Sequence, residues 1–355
     1  METDLSALCQ RMVAIPSVSH EEEKLADFVA GYLAGFASLD LFRIGNNIVV
    51  RSSFGRSFRL IIAGHLDTVP PDNNQGLRVE NGRLYGLGSA DMKAGLAVML
   101  GLAELVESFS VDLTLIFYVC EEVASTFSGL LEIERTNPEL LRGDAAVLME
   151  PTSNRIEAGC QGTMRIRIEL AGKRAHTARP WAGVNAIHRA GALIDCVAHA
   201  DLENPLIDRL QFREALQVVR VSGGIANNVV PDVANVVVNY RFAPNKDIDQ
   251  AFQTIKALLG DLIDPGLGDD IQLEEGVLGA SPNLSNPFIA KLLAVTSETP
   301  QAKLGWTDVS FFSSRGIPAT NFGPGNPLLA HTRDEYVELS EIRAAFGIMT
   351  GALGS

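Results

Sequence analysis

Cysteine, aromatic residues, basic charge and long apolar runs are all scarce in this chain of 355 residues, and each scarcity removes a class of protein. The four cysteines, Cys9, Cys120, Cys160 and Cys196, are scattered with no Cys-x-x-Cys pair. That argues against a disulfide framework or a thiolate zinc finger and fits reduced thiols in a cytoplasm. No stretch reaches the roughly 18 apolar residues that a membrane span needs. The acidic start, Met1–Leu8, has no basic leader region, so a cytoplasmic location is expected. Lys and Arg total 29 against 43 Asp and Glu, a net charge of −14. A nucleic-acid surface or an anionic-membrane surface is therefore not expected.

Apolar residues, in contrast, make up 46% of the chain, enough for a large core. The length exceeds what one core usually serves, so two domains are expected. The organising stretch is Ile61–Pro70, I-I-A-G-H-L-D-T-V-P. It reads as a buried strand that stops at Gly64 and leaves His65 and Asp67 at its mouth. Side chains alternate along a strand, so these two point the same way. An imidazole can bind a metal ion while a carboxylate two residues on takes the proton of its other nitrogen. A His–Asp pair that only caps a strand end is the plainer alternative. More acidic groups then recur in matching settings. Asp91 heads an apolar Ala/Leu/Met-rich segment, where it can act as an N-cap or bridge metals. The Gly86-x-Gly88 before it invites a dinucleotide reading, but Asp91 stands where a small residue is required. The core strand Val111–Val119 ends at Cys120-Glu121-Glu122, and the short strand Ala145–Met149 ends at Glu150. Carboxylates at the ends of buried strands are costly unless something cationic meets them.

The pattern changes at Met164. Alternating strands at Met164–Ala171, Leu216–Gly223, Val233–Phe242 and Asp270–Glu275, with helices at Val184–Ala200 and Asp247–Leu259, give a β-α-β-β-α-β order. That order predicts a ferredoxin-like insert. Near the start, Glu21–Gly35 is a predicted helix, and Ser19 three residues before Glu22 suggests a capping box. The α/β character returns from Asn286, with helices at Pro287–Thr296, Thr307–Arg315 and Leu339–Leu353 and a strand at Ala319–Phe322.

The pieces G-H-L-D-T-V-P (64–70), A-D-M-K (90–93), C-E-E (120–122), E-P-T (150–152), R-A-H-T-A-R-P (174–180) and A-H-T-R-D-E (330–335) occur in one order along the chain. Together they resemble the M20 family of dinuclear zinc hydrolases. The segments 157–162, 305–310 and 316–327 resemble its desuccinylase branch. The resemblance implies a discontinuous α/β catalytic domain, residues 1–163 and 276–355, with a mixed sheet flanked by helices. It also implies an inserted ferredoxin-like α+β dimerisation or lid domain, residues 164–275, and a homodimer formed through it. One zinc would be held by His65, Asp91 and Glu150, and a second by Asp91, Glu122 and His331. Asp67 would orient His65, and the Asp91–Met92 peptide is expected to be cis. Donors of this kind suit zinc, cobalt or manganese. Glu121, beside ligand Glu122, would move the proton, and His176 would donate to the oxyanion, reaching the partner's site across the dimer.

The implied reaction is hydrolysis of the amide between succinate and an amine of L,L-diaminopimelate, as part of lysine and diaminopimelate synthesis. Arg179, Arg241, Arg174, Asn227, Asn228, Gly305 and Thr307 are the implied substrate contacts, the arginines because they grip carboxylates bidentately. Phe311 stands where relatives place an arginine, which bears on the segment 305–314. Two alternatives remain on these residues: another deacylase or peptidase of the family, acting on acetylornithine or on peptides, and a non-catalytic, metal-stabilised binding protein.

Overall fold

The computed structural model describes residues 4–296 and 298–354. Contacts divide the chain into two units. One comprises Met1–Gly159, Pro282–Gln301 and Phe311–Ser355, the other Cys160–Ser281 and Ala302–Ser310.

In the first unit the strand Arg59–His65 lies at the centre. It pairs in parallel with Asp112–Tyr118 on one side and Ala145–Leu148 on the other. Ala319–Asn321 continues the parallel set beyond Ala145–Leu148. Leu60–Ala63 and Ala145–Leu148 are fully buried, as expected of strands covered on both faces, which read as continuous apolar runs. The edges are antiparallel. Asp40–Ile44 and Asn47–Arg51 form a hairpin across the turn at Gly45-Asn46, and Asn47–Arg51 also pairs with Asp112–Tyr118. At the other side Glu157–Ala158 runs against Ala319–Asn321. The result is an eight-stranded mixed sheet.

The helix Ala94–Ala103, A-G-L-A-V-M-L-G-L-A, has no polar face, and all ten of its residues are buried. It packs against the sheet and against the helices Leu5–Val13 and Leu339–Leu353. Gly95 allows its first turn to approach the sheet, because a Cβ there would collide with the carbonyl oxygen of Met149. That contact sets the start of the helix beside the strand end that carries Glu150.

One local expectation is corrected. The second helix spans Glu23–Leu33, and its N-cap, Glu22, makes no side-chain capping bond. Ser19 and Glu22 do not form a capping box, because both side chains turn away to the loops of the candidate site. The segment 72–81, which reads as loop or hairpin, ends in the strand Arg78–Glu80, which forms a hairpin with Arg83–Tyr85. That strand joins Arg83–Tyr85 and Tyr336–Glu338 in a small antiparallel sheet.

The second unit has the strands Gly162–Ala171, Ala215–Gly223, Val233–Phe242 and Asp270–Val277, with the helices Ala186–Ala198 and Ile248–Leu259. All adjacent strands are antiparallel, and Gly162–Ala171 lies between Val233–Phe242 and Asp270–Val277. This is the ferredoxin-like arrangement that the β-α-β-β-α-β order predicts. Alternate residues of the central strands, Met164, Ile166, Ile168 and Leu170 with Val236, Val238, Tyr240 and Phe242, meet Leu193 and Ile255 of the helices in one core. The unit thus has a hydrophobic core of its own. Ala302–Ser310 groups with it, whereas the sequence places that segment in the discontinuous domain.

A partly buried ion pair ties this unit together. Arg189 grips Asp269 bidentately, with Nη1 2.6 Å from Oδ1 and Nη2 on Oδ2. Asp269 also accepts from the backbone N–H groups of Ala171 at 2.8 Å and Asp264 at 2.7 Å. Burial acts to raise the carboxyl pKa, but Arg189 and the two amides outweigh it and hold the group below its ordinary value. Its contribution to stability is therefore present above the ordinary aspartate pKa and is lost as pH falls through the lower folded value. Asp269→Asn should cost about 3 kcal/mol at neutral pH, the usual cost of breaking a buried pair. The gap to the unmodified chain should close below about pH 4. Urea unfolding across pH measures both.

Candidate metal centre and active site

Three neighbouring parallel strands deliver their carboxyl ends to one place. Arg59–His65 ends on His65, Asp112–Tyr118 leads into Cys120-Glu121-Glu122, and Ala145–Leu148 leads into Glu150. Asp91 arrives on the turn before the buried helix, and its peptide to Met92 is cis, as expected. Lys93, not Asp91, holds the N-cap position of that helix, so the capping role open to Asp91 is not taken. His331 comes from the segment that follows the strand Ala319–Asn321.

These side chains converge. His65, Asp91 and Glu150 form one group and Asp91, Glu122 and His331 another, with the donor atoms of each group within 4.8 Å of one another. A third group joins His65 to Glu121 and Glu122. Asp91 faces both histidines: its Oδ1 lies 3.1 Å from His65 Nε2 and its Oδ2 lies 3.4 Å from His331 Nε2. Ligands on tetrahedral bonds of about 2.0–2.1 Å stand about 3.3 Å apart, so these separations suit an ion between each pair. His331 Nε2 also lies 2.7 Å from Glu122 Oε1.

The electrostatics point the same way. The hydrogen bonds of His331 to Asp91 and Glu122 push its imidazole up to about 10. Burial acts to lower His65, but Asp67 and Asp91 raise it well above the ordinary histidine value. Even with both imidazoles charged, the four carboxylates of these groups leave the cluster negative. Divalent cations correct that imbalance, and nitrogen and oxygen donors without thiolate suit zinc, cobalt or manganese. The residues therefore fit a pair of divalent ions sharing Asp91.

Asp67 acts differently from the sequence expectation. His65 Nδ1 meets the main-chain carbonyl oxygen of Asp67 at 2.9 Å, while the Asp67 carboxylate stands 3.5 Å away. The carbonyl thus fixes the ring; the carboxylate, still near enough to favour the charged imidazole, makes its closer hydrogen bonds elsewhere. Its Oδ1 accepts from the N–H of Glu121 and its Oδ2 from the N–H of Glu122, each at 3.0 Å, and Ser19 Oγ donates to Oδ2 at 2.8 Å. Asp67 therefore braces the loop that presents Glu121 and Glu122.

Glu335 has the same kind of task, and sequence reasoning missed it. Its carboxylate, 2% exposed, accepts from the N–H groups of Gly88, Ala90 and Asp91 at 3.0, 2.9 and 3.0 Å. Burial pushes its carboxyl up to about 7 against the pull of those three bonds. An acidic residue four positions after His331 was the available signal.

The remaining predicted residues belong to the second unit. Arg174, His176, Arg179, Asn227, Asn228 and Gly305 are exposed, Arg241 is half-buried and Thr307 is buried. The loop of His176 lies beside the asparagine pair, since Thr177 N–H donates to the Asn228 carbonyl and His176 bridges Val229. His176 Nδ1 accepts the N–H of Ala178 at 3.0 Å, which places the ring proton of neutral His176 on Nε2. Arg174 is engaged with Asp232 at 2.6 Å. Burial holds the Arg241 guanidinium below its ordinary value, an arrangement that an anion would relieve. In the first unit, Phe311 is 8% exposed. Its ring packs on Phe312 under the guanidinium of Arg315, which is 3.6 Å from the ring centroid and is itself paired with Glu134.

Because Glu335 holds the backbone that leads into Asp91 without being a ligand, Glu335→Ala should weaken metal binding by about 10- to 100-fold. Titration calorimetry of the metal-free protein with zinc measures it.

Residues 61–355 match the peptidase family M20/M25/M40. The chain is 44% identical over 352 residues to the succinyl-diaminopimelate desuccinylase of Corynebacterium glutamicum, with 98% of this chain and 95% of the relative covered. Among solved structures it resembles the aminopeptidase PepT of Bacillus cereus, with TM-score 0.82, 17% identity and coverage of 99% and 98%. It also resembles a tripeptidase of Staphylococcus aureus, with TM-score 0.80, 21% identity and the same coverage. The two structures carry the fold, and the extent of the family match carries the kinship: the chain belongs to the peptidase family M20/M25/M40.

Proposed function

We propose that the chain hydrolyses the amide of N-succinyl-L,L-2,6-diaminopimelate, releasing succinate and the free diamino acid. The substrate rests on one observation, the 44% identity across nearly the whole chain with a relative of that activity. The reaction class rests on the six-residue cluster. His65, Asp91 and Glu150 would hold one cation and Asp91, Glu122 and His331 the other, with zinc the first candidate and cobalt or manganese the alternatives. When bound, such a pair supplies a water acidic enough to be a nucleophile near neutral pH and polarises the amide carbonyl.

The chain's own residues do the rest. Glu121 takes the proton of the attacking water and returns it to the leaving nitrogen, acting first as base and then as acid. Asp67 holds the Glu121 and Glu122 amides, so the proton carrier and its neighbouring ligand keep a fixed spacing. His176, with its proton on Nε2, donates to the oxygen that gains charge at the attacked carbon. Arg179 and Arg241, with Asn227, Asn228, Gly305 and Thr307, hold the carboxylates of the substrate.

The second unit also supports a homodimer, with His176 serving the partner's site. Its strand Ala215–Gly223 is terminal in the sheet. Val219 and Val221 on that strand are 56% and 46% exposed, with Ile225 just beyond it at 66%. A terminal strand is completed by a second copy of itself about a two-fold axis. No helix among the described residues is long and apolar enough to cross a membrane, and the free cysteines support a cytoplasmic setting.

N-succinyl-L,L-diaminopimelate should be turned over faster than acetylornithine or dipeptides, with loss on chelation and recovery on adding zinc. A preference for either competitor overturns the substrate. Glu121→Gln should lower kcat by about 10²–10⁴ with metal content retained, whereas a binding protein would be indifferent. Val221→Glu should convert the dimer to a monomer in light scattering after size exclusion.

A further inference from the structure

The turn that presents Glu121 is held by a second buried carboxylate. Cys120 adopts φ +61, a left-handed conformation that a residue with a side chain rarely takes without support. Its N–H donates to Glu22 Oε1 at 3.3 Å, and its thiol lies 3.4 Å from the same oxygen. Glu22 Oε1 also accepts the N–H of His20 at 3.0 Å, and His20 is itself left-handed at φ +74. Glu22 is 2% exposed and makes no capping bond to the helix it precedes. A carboxylate buried at this cost is retained for what it accepts.

Three consecutive amides, those of residues 120, 121 and 122, are thus captured by two carboxylates: Glu22 takes the first and Asp67 the next two. We propose that Glu22 is a positioning residue for the proton-transfer step, fixing the peptide before Glu121 and through it the direction in which the Glu121 side chain leaves the turn. This rests on the reading of Glu121 as the proton carrier. Glu22 makes none of the Asp67 bonds, so its removal loosens the turn on the Glu121 side and leaves the metal ligands in place. A displacement of about 1 Å at such a group can cost on the order of a hundredfold in rate.

The test uses Glu22→Leu, which removes the acceptor but fills the space, Glu22→Ala, and Glu22→Gln, which keeps an acceptor oxygen. Hydrogen–deuterium exchange on the metal-free protein should show faster exchange of the 119–123 backbone in the Leu and Ala variants and near-normal exchange in the Gln variant. Steady-state kinetics should show kcat down about 10- to 100-fold in Leu and Ala, KM within about twofold, metal content unchanged, and Gln close to the unmodified chain. On a Glu121→Gln background the Leu substitution should lower kcat no further, because both changes act through one group. Unchanged exchange, a loss that multiplies on that background, loss of metal, or failure of both truncated variants to fold would each overturn the proposal. If the unmodified chain does not hydrolyse N-succinyl-L,L-diaminopimelate, the substrate reading fails instead. The exchange measurement then still decides the role of Glu22, and the kinetic arm moves to the competitor that is hydrolysed.

Discussion

Burying several carboxylates at the end of one sheet is the constraint on which the first unit is built. An ionised carboxylate away from water needs a cation or several N–H donors. The parallel strands ending at His65, near Glu121–Glu122 and near Glu150, with Asp91 from the turn before the buried helix and His331 from a later loop, put four such groups and two imidazoles into one small volume. Apart from Glu121, the proposed proton carrier, the acidic groups there are placed to meet the requirement in one of two ways. Asp91, Glu122 and Glu150 lie in groups arranged for ions. Asp67, Glu335 and Glu22 lie beside them and are met by backbone amides.

That second set explains how the loops around the centre are held without regular secondary structure. Glu335 draws in the amides of Gly88, Ala90 and Asp91 from a segment far along the chain. Asp67 and Glu22 do the same for the 120–122 turn. Hydrogen bonds from backbone N–H to a buried carboxylate are charge-assisted and stronger than neutral ones. They convert acidic residues, which could otherwise only repel one another, into links between loops. Part of the net charge of −14 is therefore structural.

Much of this was legible in the sequence because it is written in periodicity. The buried strands are uninterrupted apolar runs, the insert strands alternate, and the helices Pro287–Thr296 and Leu339–Leu353 fall where their apolar spacing places them. His65, Glu121, Glu122 and Glu150 were legible because each sits at or just beyond the end of such a run, and Asp91 because it heads the apolar segment that becomes Ala94–Ala103; His331, in a loop, was legible only through its motif. What was not legible depends on where a polar side chain turns. Ser19 and Glu22 have the spacing of a capping box, yet tertiary partners outbid the local ones: Asp67 for Ser19, Cys120 for Glu22. Asp67 has the spacing of a histidine partner, yet its carbonyl makes the closer contact with the ring and the carboxylate's shorter hydrogen bonds go to the 121–122 amides and Ser19. The three-residue strands Arg78–Glu80 and Tyr336–Glu338 are too short to show a pattern, and the pairing of Tyr336–Glu338 with Arg83–Tyr85 joins segments far apart in the chain.

The fold alone cannot choose the substrate. Similar folds occur in an aminopeptidase and a tripeptidase at 17% and 21% identity, and a metal centre of this kind can attack any amide brought to it. Choice among amides must come from groups that meet the rest of the substrate. In a chain this acidic, a substrate with several carboxylates is repelled unless cations are placed locally. Among the proposed substrate contacts, Arg241 is suited to that need: it is half-buried, and burial lowers its guanidinium below its ordinary value. Arg174, already neutralised by Asp232, has less to offer an incoming anion. Under the proposed function, desolvated positive charge serves specificity for a succinylated diamino-dicarboxylate, and the cluster of carboxylates serves the hydrolytic step.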